Sequence, residues 1–152
     1  MIEHLCVDCK LDPPKTVRKI VSGNTARSWR CSTHTREKKA RDKMRARFGH
    51  VARTYGLTPE QYVALLEYQE YLCAVCRIAN GKTKALAVDH DHHLAKQHDH
   101  PVNKACIECV RGLLCGPCNQ HVIGRLGLTQ LQNAVDYKRE PPFVRMRRLG
   151  IV

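Results

Sequence analysis

Apolar residues recur at helical spacing between Arg36 and Tyr55. Ala40, Met44, Phe48, Val51 and Tyr55 are four, four, three and four residues apart, which puts them on one stripe of a helix. Gly56-Leu57 ends that helix. Thr58-Pro59-Glu60-Gln61 then predicts a new start: Thr58 as N-cap, Pro59 in the first turn and Gln61 closing a capping box. Tyr62, Leu65, Leu66 and Gln69 continue at helical spacing, read as core packing, and the helix is expected to run into Cys73. Residues 84–88, Lys-Ala-Leu-Ala-Val, predict a short strand ending at Asp89, followed by a loop rich in histidine: His90, His92, His93, His98 and His100. Residues 110–114, Val-Arg-Gly-Leu-Leu, predict a second strand. Cys115-Gly-Pro-Cys118-Asn119 is a knuckle opening a helix, with Pro117 in its first turn. Thr129 is the predicted cap of a last helix, with Leu131, Ala134 and Val135 on its apolar face, stopped by Pro141-Pro142.

The predicted core is thin. Of 152 residues, 43% are hydrophobic but only 5% aromatic, so cross-links are expected to help hold one domain or one and a half. The nine cysteines suggest which cross-links. Eight fall in Cys-x-x-Cys pairs, and the ninth, Cys31, sits in Cys31-Ser-Thr-His34. An odd count fits a closed disulfide framework poorly, whereas two thiolates three residues apart can bind one metal from a tight turn. Cys6, Cys9, Cys31 and His34 form a three-thiolate, one-imidazole set suited to tetrahedral zinc. They predict an N-terminal zinc module over residues 1–35; the alternative leaves His34 a surface residue. Cys73, Cys76, Cys115 and Cys118 form a second set. Four thiolates leave no open position, so this zinc is expected to be structural, fixing Asn119 relative to the first strand's end.

Charge is uneven. The chain has 26 Lys and Arg against 14 Asp and Glu, a net charge of +12 and a pI near 9.5. Between Lys10 and Arg53 there are 14 basic and 3 acidic residues. Lys38, Lys39, Arg41, Lys43, Arg45, Arg47 and Arg53 surround the first helix's apolar stripe. A charge run is usually a solvated face, but one nearly all of one sign is relieved by an external polyanion. The reading is an N-terminal zinc module (1–35), a basic helical arm (36–57), a compact domain (58–140) and a basic tail (141–152) with Arg145, Arg147 and Arg148, expected to be mobile or close to DNA. No run of eighteen apolar residues occurs, which argues against a membrane span. Met1-Ile-Glu-His-Leu-Cys6 lacks the form of a secretory signal, so a cytoplasmic location is expected.

Asp89 offers a hard oxygen at a strand end, and Asn119 offers a second from the first turn of the following helix. Two protein oxygens plus phosphate and water suit Mg2+ or Mn2+. His90 points away from Asp89 on an extended segment and can serve as base for a water attacking phosphorus. The metal would offset charge on the phosphorane and the leaving 3′ oxygen. Phosphodiester hydrolysis is the reaction such an assembly performs. Asp89-His-Asp-His92 alone reads equally as a transition-metal patch.

Tyr55-Gly-Leu-Thr-Pro-Glu-Gln-Tyr62, Cys73-Ala-Val-Cys76, Val88-Asp-His-Asp-His92, Arg111-Gly-Leu-Leu-Cys-Gly-Pro-Cys-Asn119 and Leu126-Gly127 occur in order. Over residues 54–138 the chain resembles the phage recombination endonuclease VII family: His-Me finger (HNH-type) nucleases, small α+β proteins with a ββα-metal core. The resemblance implies that Asp89 and Asn119 bind the catalytic ion and that His90 is the general base. It also implies that His92 contacts metal or phosphate and that the four cysteines hold structural zinc. Family members cleave DNA, including four-way junctions. Two departures are visible. Val122 stands where the junction-resolving type has an acidic residue. The loop before Arg111 is long and carries Cys106-Ile-Glu-Cys109, which with His98 and His100 can make a third zinc site; His93 is a rival ligand and free thiols the plain alternative.

The leading expectation is a metal-dependent DNA endonuclease of a bacterial host or phage-infected cell, with two or three structural zinc ions and Mg2+ or Mn2+ in catalysis. It would contact duplex or branched DNA through the basic arm and Arg111, as a homodimer if it resolves junctions. A non-catalytic zinc-finger DNA-binding protein is the competing class, and an RNA-targeted nuclease or toxin the third.

Overall fold

The chain is described here from a computed structural model, covering residues 6–9, 20–22 and 28–151. It is a small α+β protein dividing into two compact units, Met1–Arg53 and Thr54–Val152. Much of the predicted N-terminal module, including residues 10–19 and 23–27, lies outside the described residues.

In the first unit, β1 (Ile20–Ser22) pairs antiparallel with β2 (Arg30–Cys31), placing Ile20 opposite Cys31. The Val7 amide donates to the Trp29 carbonyl at 2.9 Å, and Arg30 Nε donates to Asp8 Oδ2 at 2.8 Å. These bonds draw Cys6 and Cys9 toward Cys31. The helix α1 (Ser32–Tyr55) begins directly after Cys31, four residues before the predicted start. His34 therefore lies in its first turn. The apolar stripe is buried only at its C-terminal end: Met44 is 51% exposed, whereas Val51 is 1% exposed. Strong helix formers, Arg, Lys and Ala, and the Lys38–Asp42 ion pair support the exposed half.

In the second unit, α2 (Pro59–Tyr68) carries the predicted capping box: Gln61 N–H donates to Thr58 Oγ1 at 3.2 Å, and Thr58 N–H to Gln61 Oε1 at 2.9 Å. Tyr62 faces the core. The helix does not run into Cys73. Glu70 and Tyr71 adopt positive φ, 55° and 61°, and turn the chain. Gly81 N–H donates to the Tyr71 carbonyl at 2.6 Å and holds the turn. Gln69 is buried, and its amide serves the sheet rather than apolar packing. Its Nε2 donates to the carbonyls of Leu72 (2.9 Å) and Leu113 (2.8 Å), and its Oε1 accepts from Leu113 N–H (2.8 Å).

The sheet is β3 (Ala87–His90) antiparallel to β4 (Val110–Leu114). β4 falls on the predicted residues, whereas β3 lies about three residues later than expected. The pairing decides this: Ala87 opposes Leu114, Val88 Leu113, Asp89 Gly112 and His90 Val110. Lys84 and Ala85 remain exposed before the strand.

Part of the predicted histidine loop is a helix, α3 (His92–Gln97), capped by Asp91, whose Oδ1 accepts from His93 N–H (2.8 Å) and Leu94 N–H (3.0 Å). A 3-10 turn, Ile107–Cys109, precedes β4. The helix expected after the second knuckle takes π form over Cys118–Ile123. The next helix, α4 (Leu128–Arg139), is capped by Gly127 rather than Thr129, and Ala134 and Val135 are exposed. Pro141-Pro142 ends it as expected, but the tail then forms α5 (Pro142–Arg148), where Pro142 suits a helix start and Arg148 Nε bonds Glu140 at 3.0 Å.

Candidate functional site

Asp89 and His90 are consecutive residues of β3, and the pairing slips between them. Asp89 opposes Gly112 while His90 opposes Val110, so Arg111 has no opposite residue. A bulge re-aims the residue it leaves over. Arg111 Nε donates to Asp89 Oδ2 at 2.9 Å and Nη2 donates to Oδ1 at 3.0 Å, a bidentate charge-assisted pair. The pair raises the Arg111 pKa. Asp89 is only 9% exposed, so the guanidinium neutralises a carboxylate largely removed from water. Arg111, expected to contact DNA, is thus engaged by Asp89. Gly112 stands opposite Asp89, and a Cβ there would come 3.2 Å from Gln69 Oε1, a tight contact against the amide that bonds Leu113.

Asp89, Arg111 and Gly112 line a cavity of about 430 Å³, closed further by Ala74, Leu126 and Leu131. His90 and Asn119 do not line it. The His90 ring packs instead against His92 (centroids 4.4 Å apart) and Tyr55 (5.5 Å). Its Nε2 is buried without a hydrogen-bond partner. Burial first, then the neighbouring His92, pushes its pKa below the usual histidine value. The ring is therefore neutral at neutral pH and able to accept a proton.

Asn119 is half-buried in the π turn. Its N–H donates to the Cys115 carbonyl at 2.9 Å, and its carbonyl accepts from Gly124 N–H at 3.0 Å. Gly124 permits that turn, since a Cβ there would lie 2.6 Å from the Asn119 oxygen. Single π turns inside helices are frequent at functional sites. Among the described residues no hydrogen bond joins the Asn119 amide to Asp89 or His90. Contact thus brings together Asp89 with Arg111 and His90 with His92.

Three clusters of Cys and His can each hold a metal, their ligand atoms lying within 4.8 Å of one another. For tetrahedral zinc, bond lengths imply S···S of about 3.8 Å and S···N of about 3.6 Å. In the first cluster His34 Nδ1 lies 3.2, 3.3 and 3.4 Å from the sulfurs of Cys6, Cys9 and Cys31, and Cys9 and Cys31 are 3.9 Å apart. In the second, Cys76 and Cys115 are 3.9 Å apart, and Cys115 N–H donates to Cys73 Sγ at 3.3 Å. Cys118 completes it. In the third, His98 Nδ1 lies 3.2 Å from Cys106 Sγ and 3.6 Å from Cys109 Sγ, with the sulfurs 3.5 Å apart. His100 is the fourth member. His93 is not a member of this group; it lies on α3 with its Nε2 3.1 Å from Gln97 Nε2. All these cysteines are free thiols, far outside disulfide distance.

The cysteine electrostatics also fit a cation. Backbone amides of Ala79 and Ile78 bring Cys76 down to about 6, while burial and then the neighbouring thiolates push Cys118 up to about 12. Burial opposes ionisation of Cys6, but the amides of Cys31 and Cys9 prevail and bring it to about 6; burial and the adjacent thiolates push Cys9 up to about 12. Cys31 and Cys73 are lowered as well, so in each of these two clusters two thiols favour the thiolate while a third resists it, and a divalent ion relieves that conflict.

On α1, Lys38, Lys39, Arg41, Lys43, Arg45 and Arg53 are exposed and Arg47 is half-buried. No helix among the described residues is long and apolar enough to cross a membrane.

Comparison with known families matches residues 49–140 to "recombination endonuclease VII". The gene 59 protein of Mycobacterium phage D29 is 41% identical over 119 residues, which cover 77% of this chain and 64% of that protein. The gene 59 protein of Mycobacterium phage L5 is 34% identical over 119 residues, covering 77% of this chain and 65% of that one. The chain thus spans just under two thirds of these relatives. No solved structure matches.

Proposed function

The chain belongs to the recombination endonuclease VII family, and from that premise we propose that it is a divalent-metal-dependent DNA endonuclease hydrolysing phosphodiester bonds. The observation that carries this reading is the juxtaposition on β3. A buried carboxylate already neutralised by a cation is followed at once by a neutral, partly buried imidazole.

The donor set fits a hard divalent ion, because Asp89 opens onto a cavity and holds a positive group on both oxygens. Asp89 and Asn119 are the residues that would hold Mg2+ or Mn2+. When bound, the ion supplies charge stabilisation to the phosphorane and the leaving 3′ oxygen. Arg111 releases Asp89 and becomes available to a phosphate oxygen. His90 accepts the proton of the attacking water at Nδ1, since Nε2 is covered. His92, packed at a tilt against His90, holds that ring's orientation and faces phosphate.

Around this centre we assign a ββα core within a nuclease domain at 58–140, stapled by zinc on Cys73, Cys76, Cys115 and Cys118. A zinc module at 1–35 is held by Cys6, Cys9, Cys31 and His34. The arm at 36–57 lies along the phosphates and gives salt-dependent affinity, and the tail at 141–152 adds cations. Branched DNA is the favoured substrate, cut by a homodimer that presents one centre to each strand.

One observation favours a second reading. Arg111 occupies both oxygens of Asp89, as it would in a zinc-bearing DNA-binding protein with no catalytic ion. Incubating matched linear, supercoiled and four-way-junction DNA with Mg2+, Mn2+ or EDTA separates the two. Metal-dependent products, most abundant on the junction, support the nuclease. Binding with no cleavage under every condition leaves the second reading.

A further inference from the structure

The third cluster lies where the endonuclease VII resemblance shows a departure, in the long loop between α3 and β4. We propose that His98, His100, Cys106 and Cys109 bind one zinc ion, and that this ion positions His90.

The chain builds the site from two opposed turns. Asp99 has φ 56° and ends α3 in a left-handed cap: His98 N–H donates to the Leu94 carbonyl at 2.9 Å and His100 N–H to the Ala95 carbonyl at 3.0 Å. That cap sets the His98 and His100 rings side by side, 5.9 Å apart and edge to face. Facing them, the 3-10 turn folds Cys109 back onto Cys106 through the Cys109 N–H to Cys106 carbonyl bond at 3.0 Å. The two sulfurs and His98 Nδ1 are separated by 3.2–3.6 Å, close to tetrahedral zinc spacing. A second observation is independent of those distances. His100 Nε2 is buried without a hydrogen-bond partner, a costly state that a metal bond relieves. Two thiolates and two imidazoles are a common closed zinc set.

The site connects to the catalytic strand by three routes. Cys109 directly precedes Val110, the residue opposite His90. The Cys109 carbonyl accepts from Asp91 N–H at 2.8 Å, fixing the backbone just after His90. Cys109, Ala95 and Ala105 pack with Tyr55, whose ring stands 5.5 Å from His90, and Ala105 N–H donates to the Thr54 carbonyl at 2.8 Å. Losing the ion would loosen both the wall behind His90 and the backbone beyond it. The positioning role rests on the reading of His90 as base; the zinc itself does not.

The test uses the full chain purified with zinc, and three variants: His98→Ala/Cys106→Ser, His98→Ala and His98→Cys. His98 is exposed, so its replacement does not disturb the core. Native mass spectrometry is expected to give three zinc ions for the wild type, two for the double variant and three for His98→Cys. Cobalt substitution is expected to show a two-thiolate contribution that the double variant loses and that His98→Cys converts to a three-thiolate one. Two ions in the wild type, or three retained in the double variant, overturn the site. For positioning, histidine side-chain NMR of the double variant is expected to show a changed His90 environment. The cleavage rate is expected to fall about tenfold at saturating DNA, with His98→Cys restoring it. Zinc lost with the His90 signals unmoved overturns the positioning role. The metal count and the NMR readout hold even if the protein cleaves nothing, so this failure is distinguishable from failure of the nuclease reading.

Discussion

Replacing Gln69 with leucine removes a buried side chain that ties the end of α2 to the middle of β4. The amide is 6% exposed and makes three hydrogen bonds of 2.8–2.9 Å. The Leu113 carbonyl also accepts from Ala74 N–H at 3.1 Å, so it keeps a partner. The Leu113 N–H has no such substitute, and Leu113 is fully buried. Leaving a buried donor unsatisfied costs about 1–3 kcal/mol, and the two lost donations by the amide add about 0.5–1.5 kcal/mol each. Leucine regains part of this by apolar burial, so the net destabilisation expected is about 2–4 kcal/mol. That is a large share of a small domain's total stability. The assay is urea unfolding followed by far-UV circular dichroism at fixed free zinc, because bound metal itself adds stability. A loss under about 0.5 kcal/mol would refute the argument that this amide holds the sheet. Gln69→Glu sharpens it. The introduced carboxyl would face two carbonyls and must stay protonated to donate, so its folded-state pKa is raised. Its contribution is then present below the unfolded pKa and lost as pH rises through the folded one. This variant is expected to be weakest at high pH.

Three further outcomes follow from the geometry. Arg111→Gln frees both oxygens of Asp89 and is expected to tighten Mn2+ binding, measured by calorimetry, by about fivefold for a half-exposed pair; equal or weaker binding would show that Arg111 does not compete with the ion. Glu60 is held below its ordinary value of 4.5 by its own backbone amide and then by the Thr58 hydroxyl. Its contribution is present above the unfolded pKa and lost as pH falls through the folded one, so the stability gap between wild type and Glu60→Gln should close between pH 5 and 3, and a gap constant across that range would contradict the cap. Lys39→Gln and Arg41→Gln are each expected to lower the salt slope of DNA binding by about one, with little dependence on sequence; an unchanged slope would remove that cation from the interface.

Local signals survived the move from sequence to structure, and of the long-range ones the grouping of the metal-ligand pairs did too, whereas strand register did not. The capping box at Thr58 and Gln61 depends on four adjacent residues and formed as read. The three metal clusters were legible because a Cys-x-x-Cys turn presents both ligands locally. β3 slipped because a short apolar run does not fix its own register; only pairing with β4 does. The bulge that aims Arg111 at Asp89 is a property of that pairing and has no signature in either strand alone. Gln69 did carry a signal, a polar residue within an apolar stripe, but its sheet partner, Leu113, is 44 residues away. Asp91 also carried one: it precedes Leu94 and Ala95 as an N-cap should, within a run of histidines that has no helical apolar period.

The most direct test of the catalytic account is relaxation of supercoiled plasmid by wild type and His90→Ala, matched for zinc content, in Mg2+ or Mn2+ against EDTA. The account predicts relaxation by the wild type only with the divalent ion, and a loss of about a hundredfold or more in the variant at unchanged zinc. Equal relaxation by both proteins would contradict it.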